Sequence, residues 1–245
     1  MAAQKLRHDV FHKARGHRPE TSETGYDRDR FDDHCNHLIV LDEARREGAG
    51  LPPVIATYRL LDGRQAVAAG GFYSASEFAV EPLLARHRPL RFLEFGRSCV
   101  HPDYRDKRTV ELLWHGSWAH VCREGHDVMF GCASFEGTDP TVHAAALSLL
   151  AHEAAAQADW QVEARGERVK LPLLAPESYD PRAARRALPP VVRGYLRLGA
   201  MFAGEAVIDR DFDTIDVLVL LPVARLNPRY VRYYGADAGR HAAAE

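Results

Sequence analysis

The chain predicts an α/β (α+β) fold, a mixed central β-sheet flanked by helices, and three features lead there. Short runs rich in β-branched and aromatic residues recur at 37–41, 54–61, 90–101, 128–135 and 213–221. Between the later runs, 110–124 and 139–150 carry apolar residues at the helical period of about 3.6 residues. Glycine and proline sit at the junctions, where the chain must turn.

Taken in order, residues 1–15 read as a short helix with Leu6, Val10, Phe11 and Ala14 on one side. Residues 16–36 are polar, with Asp27, Asp29, Asp32 and Asp33 set among arginines; they read as a mobile segment, either a solvated surface or a gate over substrate. His37–Leu41 and Val54–Leu61 are strands, the second closed by Asp62-Gly63, a hairpin signal. Ser74, Ser76 and Glu77 resemble a cap for a helix over 76–87. The strand over 90–101 ends at Pro102, which cannot donate to a ladder. A cationic turn, Arg105-Asp-Lys-Arg108, opens a helix that Gly125 stops.

Val128–Phe135 is a strand buried on both faces, and Thr138 or Asp139 caps a second helix with Pro140 at its first position. Residues 158–190 are a connector rich in proline and arginine, with Arg182, Arg185 and Arg186. Arg193–Gly199 and Asp213–Leu221 read as the last strands, and 224–245 as a tail. The whole, 1–245, reads as one domain.

Composition narrows the function. An apolar content of 46% is enough for a core, and a net charge of −2 argues against a nucleic-acid protein. The four cysteines show no Cys-x-x-Cys spacing and read as free thiols in a reducing compartment. No apolar leader opens the chain and no window approaches the roughly 18 apolar residues of a membrane span, so the expected place is the cytoplasm. Arginines and tyrosines at 225–234 suit either peripheral contact with the inner membrane face or a solvated tail. His34-Cys-Asn-His37 falls short of a metal set, so no metal is expected.

The stretch with most chemistry is Phe92-Leu-Glu-Phe-Gly-Arg-Ser-Cys-Val100. Glu94 and Arg97 are charges inside an apolar strand, and an unpaired buried charge costs several kcal/mol, so the two are mutually satisfied or functional. Strand alternation sends 94 and 97 to opposite faces, and Gly96 is where a bulge can bring them together.

Glu94-x-Gly-Arg97 with Val100-x-Pro-x-Tyr-Arg105 resembles a strand–helix unit of the GNAT (N-acyltransferase) fold. Together with Gly71–Phe78, Gly131–Phe135, Gly137–Pro140 and Gly194–Ala200, the pattern over about 5–222 is similar to the ornithine acyl-carrier-protein N-acyltransferases, with acyl-homoserine-lactone synthases as more distant relatives. The resemblance implies transfer of a (3-hydroxy)fatty acyl group from acyl carrier protein to the α-amine of L-ornithine, forming lyso-ornithine lipid, with no bound cofactor. The donor would be the phosphopantetheine thioester. The usual glycine-rich turn of acetyl-CoA users is here Arg105-Asp-Lys-Arg-Thr-Val110. Arg105, Lys107 and Arg108 suit a single phosphate or an acidic carrier surface better than a wrapped pyrophosphate.

Within that reading Glu94 is the base and Arg97 orients it or binds the acceptor carboxylate. Backbone N–H groups at Gly96 and Ser98, or the Ser134 hydroxyl, stabilise the thioester oxygen. Arg59 with Asp29, Asp32 and Asp33 binds the acceptor and closes the N-terminal segment. Phe72, Tyr73, Phe78, Phe92 and Phe95 line the acyl chain or belong to ordinary core. Cys99 and Cys132 lack a motif for covalent catalysis. Another amino acid acceptor such as glycine, and a non-catalytic acyl-carrier or lipid-binding module, are the alternatives. Charges in that strand argue against the module.

Overall fold

A computed structural model describes residues 1–13, 25–46, 50 and 52–235. The strand order of its seven-stranded sheet is β1-β2-β3-β4-β7-β6-β5, for strands β1 (Asn36–Leu41), β2 (Val54–Asp62), β3 (Phe92–Val100), β4 (Val128–Glu136), β5 (Arg168–Lys170), β6 (Met201–Asp209) and β7 (Thr214–Pro222). The chain segregates into two compact units: Met1–Gly70 with Glu94–Gly125 and the stretch from Val231, and Gly71–Leu93 with His126–Tyr230.

In the first unit α1 (Ala2–His8) runs into a π-helical turn, Asp9–Lys13. Leu6 and Val10 pack with Cys99, Phe11 and Val54, which ties this N-terminal element to the strands. β1 and β2 are antiparallel, Asn36 opposite Leu60. α4 (Lys107–Glu124) is capped by Asp106, which accepts from Thr109 N at 2.8 Å, and ends at left-handed Gly125. It approaches β1 so closely that a Cβ on Gly116 would meet Leu38 Cδ1 at 2.7 Å, so any larger residue would have to displace the leucine.

Asp62-Gly63 does not turn a hairpin. Asp62 accepts from Arg64 N and Gln65 N while Gln65 Oε1 accepts from Asp62 N, a capping box that starts α2 (Gly63–Ala68). The box outweighs the turn dipeptide because it satisfies both ends of the first turn. The described part of the polar 16–36 segment, from Gly25, is held by ion pairs taken up below; 16–24 lie outside the described residues, as do Ala14 and residue 15.

In the second unit β4 pairs with β7 from Val128↔Pro222 to Glu136↔Thr214, β7 pairs with β6, and β6 with β5, all antiparallel. β7 is buried along its whole length, as its run Ile-Asp-Val-Leu-Val-Leu-Leu demands. The helix expected over 76–87 is α3 (Val80–Arg86), preceded by a 3-10 turn at Tyr73–Ser76. α5 (Ala144–Ala154) starts later than Pro140, because Asp139 accepts from Thr141 N at 2.9 Å and Thr141 Oγ1 at 2.7 Å and closes a local turn instead of capping.

Arg193–Gly199 is helix, not strand: Pro190 opens α7 (Pro190–Leu198), with Val192, Tyr195 and Leu198 buried and left-handed Gly199 ending it. β6 (Met201–Asp209) follows it and was not expected from the sequence. α6 (Pro181–Ala187) sits in the connector, and α8 (Pro228–Gly235) closes the described chain. No described helix is long and apolar enough to cross a membrane.

Candidate active site

Glu94 sits on the apolar part of β3 and is 3% exposed. Three residues on, the strand breaks its own geometry. The left-handed residue is not Gly96 but Arg97, at φ 52°. That conformation is strained for a side-chain-bearing residue, and it ends the simple alternation that would separate 94 from 97. A Cβ built on Gly96 would come within 4.0 Å of Arg59 Nε, so glycine there leaves room for a guanidinium beside the strand.

Three arginines and three aspartates converge on this end of the first unit. Arg7 of α1, 1% exposed, donates from Nε to Asp27 Oδ2 at 2.7 Å and from Nη2 to both Asp32 oxygens at 2.7 and 2.9 Å. Arg59 of β2, 3% exposed, donates to Asp29 Oδ1 at 2.6 Å and stands 3.8 Å from Asp32 Oδ2. Arg97 donates to Asp29 Oδ2 at 3.3 Å and brings Nε within 3.3 Å of Asp27 Oδ2. Phe31 lies beneath the Arg59 guanidinium, 5.4 Å from ring centre to Cζ.

Glu94, Arg59, Asp29 and Asp32 all act electrostatically on Cys35, whose thiol is pushed up to about 12, chiefly by burial, with Arg59 opposing. Glu94 therefore shares the neighbourhood of the arginine–aspartate network. Burial also pushes Cys99 up to about 12, so neither thiol is a thiolate near neutrality.

The expected pairing of Arg59 with Asp29 and Asp32 is present, but Asp33 stands apart: it is exposed and takes Arg28 at 3.1 Å. Arg7 belongs to the network and was not singled out from the sequence; Asp27, read there only as one of four aspartates in the polar segment, belongs to it as well. The available signal was a cation between Leu6 and Val10 on an apolar helix face. Ser98 is exposed. Arg105, Lys107 and Arg108 are exposed at the start of α4, where Arg105 reaches Val100 O at 3.4 Å and Lys107 stands 3.4 Å from Glu111.

The aromatic residues expected around an acyl chain divide between the units. Phe95 packs edge-on to Tyr58 in the first. In the second, Phe72 and Phe92 both meet Phe130 edge-on, at 5.0 and 5.7 Å, with Phe78 fully buried and Tyr73 half-buried. Ser134, also in the second unit, is exposed and hydrogen-bonds the Asp216 side chain. Sequence reasoning missed two features here. Glu77, Asp209 and Asp216 bring carboxylate oxygens within 4.8 Å of one another. Arg182, Arg185, Arg186, Arg193 and Arg197, with Pro181, line a cleft between α6 and α7.

Residues 6–115 match the acetyltransferase (GNAT) domain family. The chain is 49% identical over 242 residues to an L-ornithine N(alpha)-acyltransferase of Rhizobium meliloti (strain 1021), covering 98% of this chain and 81% of that protein. It is 49% identical to the protein of the same description from Brucella abortus (strain 2308), over 98% of this chain and 86% of the relative. Among solved structures, FeeM, an N-acyl amino acid synthase from uncultured soil microbes, shares the fold with a TM-score of 0.53 at 9% identity, covering 92% of this chain and 94% of that one.

Proposed function

For a chain that belongs to the L-ornithine N(alpha)-acyltransferase family and is an acyltransferase of this α/β fold, we propose transfer of a (3-hydroxy)fatty acyl group from the phosphopantetheine thioester of acyl carrier protein to the α-amine of L-ornithine, releasing lyso-ornithine lipid. Similarity along 98% of the chain carries the choice of acceptor. The buried Glu94 supports the chemistry, because a carboxylate in an apolar strand has little use in a passive binder.

The acceptor's α-ammonium first gives one proton to solvent, which leaves the neutral amine that attacks. Glu94 takes the second proton, directly or through a water, as the C–N bond forms. The carbonyl oxygen becomes negative, and backbone N–H groups at Gly96–Ser98, where the strand kinks at Arg97, offer donors to it. The C–S bond then breaks and the proton passes to the departing pantetheine thiol. Asp27 and Asp29 hold Arg97, and Asp29 and Asp32 hold Arg59, so these aspartates act on the acceptor through two positioned guanidiniums that suit its carboxylate. Asp33, paired with Arg28 outside, is left out of this arrangement.

For the donor, exposed cations are offered by Arg105, Lys107 and Arg108 at one surface and by the arginine cleft at another; the carrier protein's acidic face docks on such a surface. A fatty chain gains about 0.8 kcal/mol per buried CH2, so its burial supplies much of the donor's binding energy. We place the enzyme in the cytoplasm, with peripheral contact at the inner membrane face through 225–234.

The test offers purified protein 3-hydroxyacyl-carrier protein, the matching acyl-CoA and a panel of amino acids, and reads products by mass. N-acyl-ornithine from the carrier-protein donor is expected. Acylation of glycine in preference to ornithine, or no amide product at all, would overturn the proposal.

A further inference from the structure

The two units differ in how their arginines are matched. In the first, Arg7, Arg59 and Arg97 all meet Asp27, Asp29 or Asp32. In the second, the stretch from Pro181 to Gly204 holds five arginines and no aspartate or glutamate, in a chain whose net charge is −2. α6 sets Arg182, Arg185 and Arg186 at i, i+3 and i+4, and α7 sets Arg193 and Arg197 at i and i+4, so each helix gathers its arginines on one face. Together with Pro181 they line one cleft of about 290 Å³.

Little within the unit neutralises this charge. Glu153 takes Arg185. Arg182, Arg186 and Arg197 are exposed and have no acidic partner among the described residues. Arg193 is pinned: its Nη2 donates to Arg186 O and Leu188 O, at 3.0 and 2.9 Å, carbonyls at the end of α6. Its Nε is shut off from solvent and makes no hydrogen bond, which leaves a fixed guanidinium with a spare donor in the cleft wall. Like charges at i and i+4 repel, and both 182/186 and 193/197 are such pairs. An anion seated in the cleft offsets that repulsion.

We infer that the α6–α7 cleft binds a phosphate ester, free in solution or at the head of a phospholipid. The inference is independent of the choice of acyl donor and acceptor. A carboxylate has two oxygens and one charge, which a single guanidinium fork satisfies. A phosphate group has more acceptor oxygens and up to two charges, so guanidiniums from both helices engage it at once. The size agrees. The cleft lies at the lower end of the roughly 300–1,000 Å³ of small-ligand sites, which suits one head group and not the broad face of a protein.

The experiment titrates the full-length chain with sn-glycerol 3-phosphate by calorimetry at low ionic strength, with acetate as the carboxylate control. In parallel the chain is sedimented with phosphatidylcholine vesicles, with and without phosphatidylglycerol. Wild type is compared with Arg182→Gln, Arg186→Gln and Arg197→Gln, all at exposed positions, and with the double variant Arg182→Lys, Arg186→Lys, which keeps the charge and loses the forks. Wild type should bind a phosphate probe and not acetate, and every variant, the lysine one included, should weaken that binding by about tenfold or more. Binding of glycerol phosphate identifies a free ester as the ligand; binding confined to vesicles with phosphatidylglycerol identifies a lipid head group. Neither probe bound, or both bound equally by all the variants, overturns the inference. Acetate bound as tightly as glycerol phosphate, or a lysine variant that matches wild type, also overturns it, because attraction between charges alone would then account for the binding. Acyl carrier protein that binds through these arginines when neither phosphate probe does makes the cleft a protein-docking surface instead.

Discussion

Arg97 holds a left-handed backbone, φ 52°, and at the same time extends Nη2 to Asp29 Oδ2 at 3.3 Å. The ion pairs with Asp29 and Asp27 keep a strained residue in place next to Glu94. Backbone and side chain can be separated by substitution. Arg97→Ala and Arg97→Gly both delete the guanidinium, but glycine adopts this φ freely, whereas alanine still bears a strain of order 1–3 kcal/mol, partly offset by glycine's greater unfolded freedom. Arg97→Gly should therefore be more stable than Arg97→Ala by about 1 kcal/mol in urea denaturation. Equal stabilities would mean that the strand is not strained there.

The network itself should matter unequally. Arg7 is buried against Asp27 and Asp32, and removing one partner of a buried pair strands the others, at about 3–5 kcal/mol. Arg28 and Asp33 are both exposed, and such pairs contribute about 0–1 kcal/mol. Arg7→Met should lower the denaturation midpoint strongly, and Arg28→Ala hardly at all. Comparable losses would show that the buried pairs are not what holds the N-terminal segment.

Much of this was legible in the sequence, for reasons that differ by element. β2, β4 and β7 announce themselves by apolar runs whose burial needs no partner information. α4 carries its own stop in Gly125. Glu94 stood out because its type contradicts its surroundings. What failed was local ambiguity: Asp62-Gly63 fits a hairpin and an N-cap equally until Gln65 is seen to complete the box, and Arg193–Gly199 reads as strand until Pro190 is recognised as a helix start. The Glu77–Asp209–Asp216 cluster was invisible because its members lie on a turn and two strands far apart in sequence, and only strand pairing brings them together.

Glu94→Gln preserves shape and removes the proton acceptor. If Glu94 is the base, kcat should fall by about 10²–10⁴-fold with the melting temperature nearly unchanged. Wild-type turnover in a folded variant would remove Glu94 from the mechanism.

Two cationic surfaces compete for the carrier protein. In the α6–α7 cleft Arg185 is already paired with Glu153, while Arg182 and Arg186 are exposed. Charge reversal at Arg182 and Arg186, compared with reversal at Arg105 and Arg108, should raise KM for the acyl-carrier donor at the true docking site by about tenfold or more and weaken its salt dependence, with little effect at the other. No effect at either would place the carrier elsewhere.

The carboxyl pair of the second unit should leave a mark on stability. Burial, then the charge of Asp216, raises Glu77 from 4.5 to about 8, and burial raises Asp216 as well. Between those values the native state holds a proton that the unfolded chain has released. The unfolded state then binds fewer protons, so stability falls as pH rises, by up to about 1.4 kcal/mol per unit for one such group. The contribution is complete below about 4.5 and is lost as pH passes through about 8. Glu77→Gln cannot ionise and still offers an N–H to Asp216. Urea denaturation of wild type and Glu77→Gln at pH 5 and pH 8 reads the proton held by the Glu77–Asp216 pair, because groups outside the pair are common to both and cancel. Relative to wild type, the glutamine variant should gain stability on going to pH 8. An identical difference at the two pH values would mean that Glu77 does not carry the proton.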